Sequence, residues 1–144
     1  MSKLALMAGG FFCLMLSGCT STDMESNRNM TDNQKTAVVF ATYASSKEEL
    51  QHAYFLAESI REFADSLREA PVWVYVPDNL ETPLEDIKAM FAPLDVSVRT
   101  SHTPEAAGWF YYAGKTFAAG KAEQEAESEA AVLVWMDEDT IVLQ

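Results

Sequence analysis

Cysteine is almost missing from this sequence. Two occur in 144 residues, Cys13 and Cys19, and none follows. A disulfide framework for the rest of the chain is thereby excluded. Basic residues are also scarce: 10 Lys and Arg stand against 22 Asp and Glu, for a formal net charge of −12. A face that tracks nucleic-acid phosphates needs clustered Lys and Arg, so broad nucleic-acid binding is not expected. Glycine is sparse, with 6 residues, and none belongs to a Gly-rich phosphate loop of the P-loop or dinucleotide type. The two histidines, His52 and His102, have no ligand spacing with each other and read as isolated, surface or half-buried residues. What the chain has is apolar content: 49% hydrophobic and 11% aromatic, enough for a real core in a single domain.

The N-terminus reads as an address. Lys3 gives a positive start, and Leu4 to Leu16 is an uncharged apolar run of 13 residues, short of the roughly 20 that a membrane-spanning helix needs. Leu16-Ser17-Gly18-Cys19 then resembles the lipobox of bacterial lipoproteins. That resemblance implies a signal peptide over residues 1–18 and acylation (palmitate) at Cys19, the first residue of the mature chain. It also implies a body held on the membrane by its lipid and not spanning it. An ordinary cleaved signal or an N-terminal core helix fits the same residues. Cleavage removes only Lys3 among charged residues and takes the formal charge to −13. Thr20 to Gln34 is polar and reads as a tether with a reach of roughly 20 Å. Residues 19–34 therefore form an acylated tether and 35–144 the folded body. In lipoproteins an Asp after the cysteine favours the inner membrane; Thr20 stands there instead. The expected location is the bacterial cell envelope, at the outer membrane, with the body facing the periplasm.

The body alternates strand and helix. Ala37 to Tyr43 is a short β-branched apolar run, the pattern of a strand covered on both faces. Ser46-Lys47-Glu48-Glu49 is a capping box, and Leu50, Ala53, Tyr54, Ala57, Ile60, Ala64 and Leu67 recur behind it at helical spacing. Pro71 closes that unit. Val72 to Val76 predicts a second strand, and Thr82-Pro83-Leu84-Glu85 predicts a second helix with Thr82 as its cap and Pro83 in its first turn. Val96 to Arg99 predicts a third strand. Thr103-Pro104-Glu105 is expected to cap a turn, and Gly114 to Glu129 to form a third helix despite Gly114 and Gly120. Its tail, with Glu123, Glu125, Glu127 and Glu129, reads as a solvated helix end in preference to an ion-binding face. Ala131 to Met136 is a fourth apolar strand. Such an order implies a Rossmann-like three-layer αβα fold with a mostly parallel sheet, whose ligands sit beyond the carboxyl ends of the strands.

Asp137-Glu138-Asp139 follows the fourth strand at once. Alternate carboxylates at a strand end suit a hard divalent cation such as Mn or Mg, which would neutralise a diphosphate; a solvated turn is the other reading of the same triplet. Here Val132 to Leu143 (VLVWMDEDTIVL) resembles the aspartate-x-aspartate segment of GT-A nucleotide-diphospho-sugar transferases, a glycosyltransferase-like family. Ala37 to Tyr43 resembles their first strand, and Lys115 stands where some of them carry a lysine. The resemblance covers residues 37 to 143 and implies that Asp137 and Asp139 bind the metal and, through it, the donor diphosphate. It places Thr42 and Tyr43 in the nucleoside pocket and Lys115 near phosphate or sugar, while Thr42 and Tyr43 equally fit a plain strand end and Lys115 a solvated side chain. Family members continue past this motif into an acceptor-binding half, so the expected activity is that of a donor half, truncated and doubtful alone, with catalytic residues unknown. A periplasmic body also needs a lipid-linked sugar in place of a cytoplasmic sugar nucleotide. Two readings from other classes stay open: a non-catalytic envelope lipoprotein that binds a ligand or partner, and a structural envelope lipoprotein.

Overall fold

A computed structural model describes residues 36–143. The signal peptide, Cys19 and the tether lie outside the described residues. The body runs β1 (Thr36–Tyr43), α1 (Lys47–Phe63), β2 (Val72–Pro77), α2 (Leu84–Phe91), β3 (Val96–Ser101), α3 (Ala113–Glu129) and β4 (Ala130–Trp135). All four strands are parallel, in the order β3-β2-β1-β4. Their register sets Ala41 opposite both Trp73 and Trp135. The expected α/β layering is present.

Alternation along the strands sorts the core into two faces. Val39, Ala41 and Tyr43 pack with Trp73, Tyr75 and the alanines Ala118, Ala122 and Ala126 of α3. Those alanines are four apart and so share one side of the helix, where their small size lets α3 lie close against large rings. On the other face, Leu50 and Ala53 of α1 meet Val74, Val76 and the α2 residues Ile87 and Phe91. Leu56, Ala57 and Ile60 cover Phe40 and Val72 there. The chain thus moves outward from β1 to β3 beneath α1 and α2, then returns through α3 on the opposite face, as a uniform crossover hand demands.

Local signals were mostly obeyed, with five corrections. Ser46 does cap α1, accepting from the Glu49 N–H at 3.2 Å, but the Glu49 carboxylate reaches back to the Ser45 N–H at 2.6 Å and not to Ser46. The helix ends at Phe63, although apolar spacing continued through Ala64 and Leu67; Asp65 takes a positive φ of 48° and Asp65–Leu67 form a 3-10 turn. Thr82 is not the cap of α2: Pro83 holds that position with an extended ψ of 135°, and no side chain caps it. The 3-10 turn Glu105–Ala107 likewise starts from Pro104 without a cap from Thr103.

The fifth correction concerns the acidic tail of α3. Arg99 of β3 donates to Glu125 Oε2 at 2.7 Å and to Glu129 Oε2 at 3.0 Å while its guanidinium lies 3.7 Å above the Trp73 ring. The Tyr75 hydroxyl donates to Glu125 at 2.6 Å, and Lys121 pairs with Glu125 one helical turn before it. Burial opposes ionisation of Glu125, yet these donors override it and bring its pKa down to about 2. Two of the four glutamates therefore fasten α3 to the sheet. The Arg61 guanidinium donates to the carbonyls of Leu94, Arg68, Ala70 and Asp95, tying α1 to the turns before β2 and β3.

Candidate functional site

The strand order reverses between β1 and β4, and in open parallel sheets a crevice forms at that point beyond the carboxyl ends. Each element contributes there for a local reason. The β4 pairing extends one residue, with Met136 N–H donating to Ala41 O at 2.9 Å. The chain then turns, Thr140 N–H donating to Asp137 O at 3.1 Å, and the tail is fastened to α1 through Val142 N–H and Ser59 Oγ at 3.0 Å. This turn sends the acidic triplet in different directions. Asp137 and Asp139 are exposed, whereas Glu138 is buried at 8% exposure.

Lys115, in the first turn of α3, reaches the triplet. Its Nζ donates to Asp137 Oδ1 at 3.0 Å and stands 2.9 Å from Glu138 Oε2. That Glu138 oxygen is in ion-pair contact without hydrogen-bond alignment and has no hydrogen-bond partner among the described residues. Burial acts to lower the Lys115 pKa, but the Glu138 and Asp137 carboxylates override it and hold the ammonium well above its ordinary range. Lys115 is therefore a paired and partly covered cation, not a solvated one. Asp139 lies apart from it, along a depression of about 230 Å³ shared with Glu138, His52 and Ile141. A second depression, about 500 Å³, is lined by Lys115, Thr116, Gly120 and Trp135.

Thr42 and Tyr43 end β1 beside the triplet but on opposite faces, as strand alternation requires. Thr42 is 1% exposed, and its hydroxyl has no hydrogen-bond partner among the described residues. Tyr43 is buried against α3, where its ring fills the space above Gly114; burial first, and then the Glu49 charge, push its pKa up. The structure thus brings Lys115 together with Asp137 and Glu138, whereas Thr42 and Tyr43, expected to line a nucleoside pocket, are buried side chains on opposite faces of the neighbouring strand.

Sequence reasoning passed over two features. Glu138 was only the middle of a triplet, and its burial follows from a turn that residue types do not encode. His102, expected to be isolated, has its Nδ1 2.7 Å from Asp78 Oδ2. The signal was positional, since both residues follow neighbouring strands directly. Among the described residues, no group of three or more His, Cys, Asp or Glu side chains is arranged to hold a metal ion. No helix among the described residues is long and apolar enough to cross a membrane. The chain matches no family model, no curated protein and no solved structure, so the resemblance to GT-A transferases rests on its motif residues alone.

Proposed function

We propose that the body is a donor-binding domain of glycosyltransferase type, which holds a glycosyl diphosphate with a divalent cation, Mn or Mg, and is carried on the envelope membrane by a lipid at Cys19. The observation that supports this reading is the convergence of Lys115 and the Asp137 and Glu138 carboxylates at the reversal of strand order. Asp137 and Asp139 are the exposed oxygen donors for the cation, which would neutralise the diphosphate. Lys115 and the positive end of α3 offer charge to the phosphates. Thr42 and Tyr43, buried at the end of β1, back this edge of the sheet and are given no contact with the ligand. No transfer step is assigned to these residues.

Nucleotide sugars and lipid-linked sugars share the glycosyl diphosphate, and an envelope body favours the second. Thermal melts with Mn alone, with Mn and UDP-N-acetylglucosamine, and with Mn and a farnesyl-diphosphate-linked N-acetylglucosamine separate the two. A ligand at a hundredfold excess over Kd adds about 2.7 kcal/mol of stability. The shift with a glycosyl diphosphate should vanish in the Asp137→Asn, Asp139→Asn variant. A folded chain that responds to neither donor overturns the reading. A shift with Mn that neither donor adds to supports instead a binding module without chemistry.

A further inference from the structure

We infer that the cleft at the carboxyl ends of β2 and β3 binds a neutral sugar, a pyranose unit of a glycan. The cleft has a volume of about 560 Å³, within the range of small-molecule sites. It is separate from the Lys115 crevice and lies two strands away along the same ligand edge of the sheet. Its polar lining is Asp78, Asn79, His102, Thr103 and Glu105. Asp78 holds His102 through Nδ1 at 2.7 Å, which fixes the ring and leaves Nε2 for a ligand. The main chain beneath is tied as well, Asp78 N–H donating to Ser101 O at 3.0 Å.

Charge decides the ligand class. Asp78 and Glu105 face the cleft, and no Lys or Arg among the described residues lines it. Phosphates, nucleotides and acidic sugars are repelled there, in a chain that already carries −12. Carboxylate, amide, imidazole and hydroxyl groups suit the alternating donors and acceptors of sugar hydroxyls. A pyranose also has C–H faces, which pack on aromatic rings. Directly after Gly108 of the cleft come Trp109, Phe110, Tyr111 and Tyr112, of which Trp109 and Tyr111 are each 85% exposed. Rings in this segment meet one another, Tyr111 and Tyr112 edge-on at 4.8 Å. Four exposed aromatics in a row, beside a cleft of hydrogen-bonding groups, combine stacking with polar recognition. The segment also leads straight into α3, so a glycan lying along it runs from the cleft toward Lys115. This site goes beyond the donor reading and does not require it, because its ligand carries no phosphate and needs no cation.

The test is titration of the full chain with maltotetraose, cellotetraose and chitotetraose, followed by tryptophan fluorescence and calorimetry in the absence of metal. At least one should bind at millimolar or lower concentration. Trp109→Ala and Asp78→Asn should each weaken it by about tenfold or more, with melting temperatures unchanged because both side chains are surface groups. Failure of all three oligosaccharides overturns the inference. So does binding that ignores both substitutions, tighter binding of uridine monophosphate, or Trp109-dependent adsorption to neutral phosphatidylcholine vesicles.

Discussion

The Tyr43 ring occupies the space that a side chain at Gly114 would need: a Cβ built there falls 2.6 Å from the tyrosine Cζ and closer still to its hydroxyl. Glycine at 114 therefore lets the first turn of α3 settle over the end of β1, and that turn carries Lys115. A residue that weakens helix propensity is kept by packing. Gly120, by contrast, has open space around its Cα.

Gly114→Ala should cost about 1–3 kcal/mol, the usual range for overpacking a filled site. The measurement is a urea midpoint. Tyr43→Phe in the same chain removes the nearest clashing atom and should recover part of the loss. Gly120→Ala should instead be neutral or stabilising, since it trades a flexible helical residue for a good helix former. Equal losses at 114 and 120 would show that helix propensity, not the Tyr43 contact, governs both.

Acid should loosen α3 from the sheet through Glu125. Its pKa is about 2 in the folded chain against an ordinary value of 4.5. A depressed carboxyl pKa gives stability that is fully present above the unfolded value and is lost as pH falls toward the folded one. The loss should therefore appear between about pH 5 and pH 2. Glu125→Gln should flatten stability across that window and cost about 1.5–3 kcal/mol at pH 7, the range for hydrogen bonds to a charged group. A variant that retains the full acid slope would place the titrating group elsewhere.

Arg61 poses a different test because its partners are all main-chain carbonyls. Arg61→Ala leaves those oxygens without their donor and should cost about 1–3 kcal/mol. Arg61→Lys should recover little, since one ammonium cannot reproduce the planar fork that serves four carbonyls. Full rescue by lysine would mean that charge near the helix end, and not the fork, is what counts.

Strand and helix order was legible because apolar runs and helical stripes are local patterns, and the buried strand Val72–Pro77 shows how directly. Helix ends were less legible. Ala64 and Leu67 keep the helical spacing, but the positive φ at Asp65 stops the helix, and nothing in the residue types announces it. The contacts that build the crevice are longer in range still. Lys115 and Glu138 are 23 positions apart and meet only after α3 and β4 have packed, and Arg99 and Glu129 are 30 apart. The acidic tail of α3 read as solvated because its partner lies on another strand. Composition could place carboxylates at the ligand edge, but only the fold shows that Glu138, not Asp139, is the one drawn inward beside Lys115.

The last prediction follows from that pairing and rests on the proposed function. In the metal-free chain, the Lys115 ammonium occupies the position between Asp137 and Glu138. A divalent cation on the same edge competes with it, and displacement sets Lys115 free for phosphate. Lys115→Met should then act in opposite directions on the two ligands. Without metal it leaves the buried Glu138 uncompensated and should lower stability by about 1–3 kcal/mol, less than a fully buried pair would because Asp137 is open to water. With Mn the loss should be recovered, and Mn affinity should rise by about tenfold, a coupling of ordinary size between two sites. Affinity for a glycosyl diphosphate should fall in the same variant, since its phosphates lose a cationic partner. Lys115→Arg keeps the charge and should leave Mn affinity near the wild-type value. If Lys115→Met instead weakens Mn binding, the lysine supports the cation rather than competing with it, and the acidic edge works by another route.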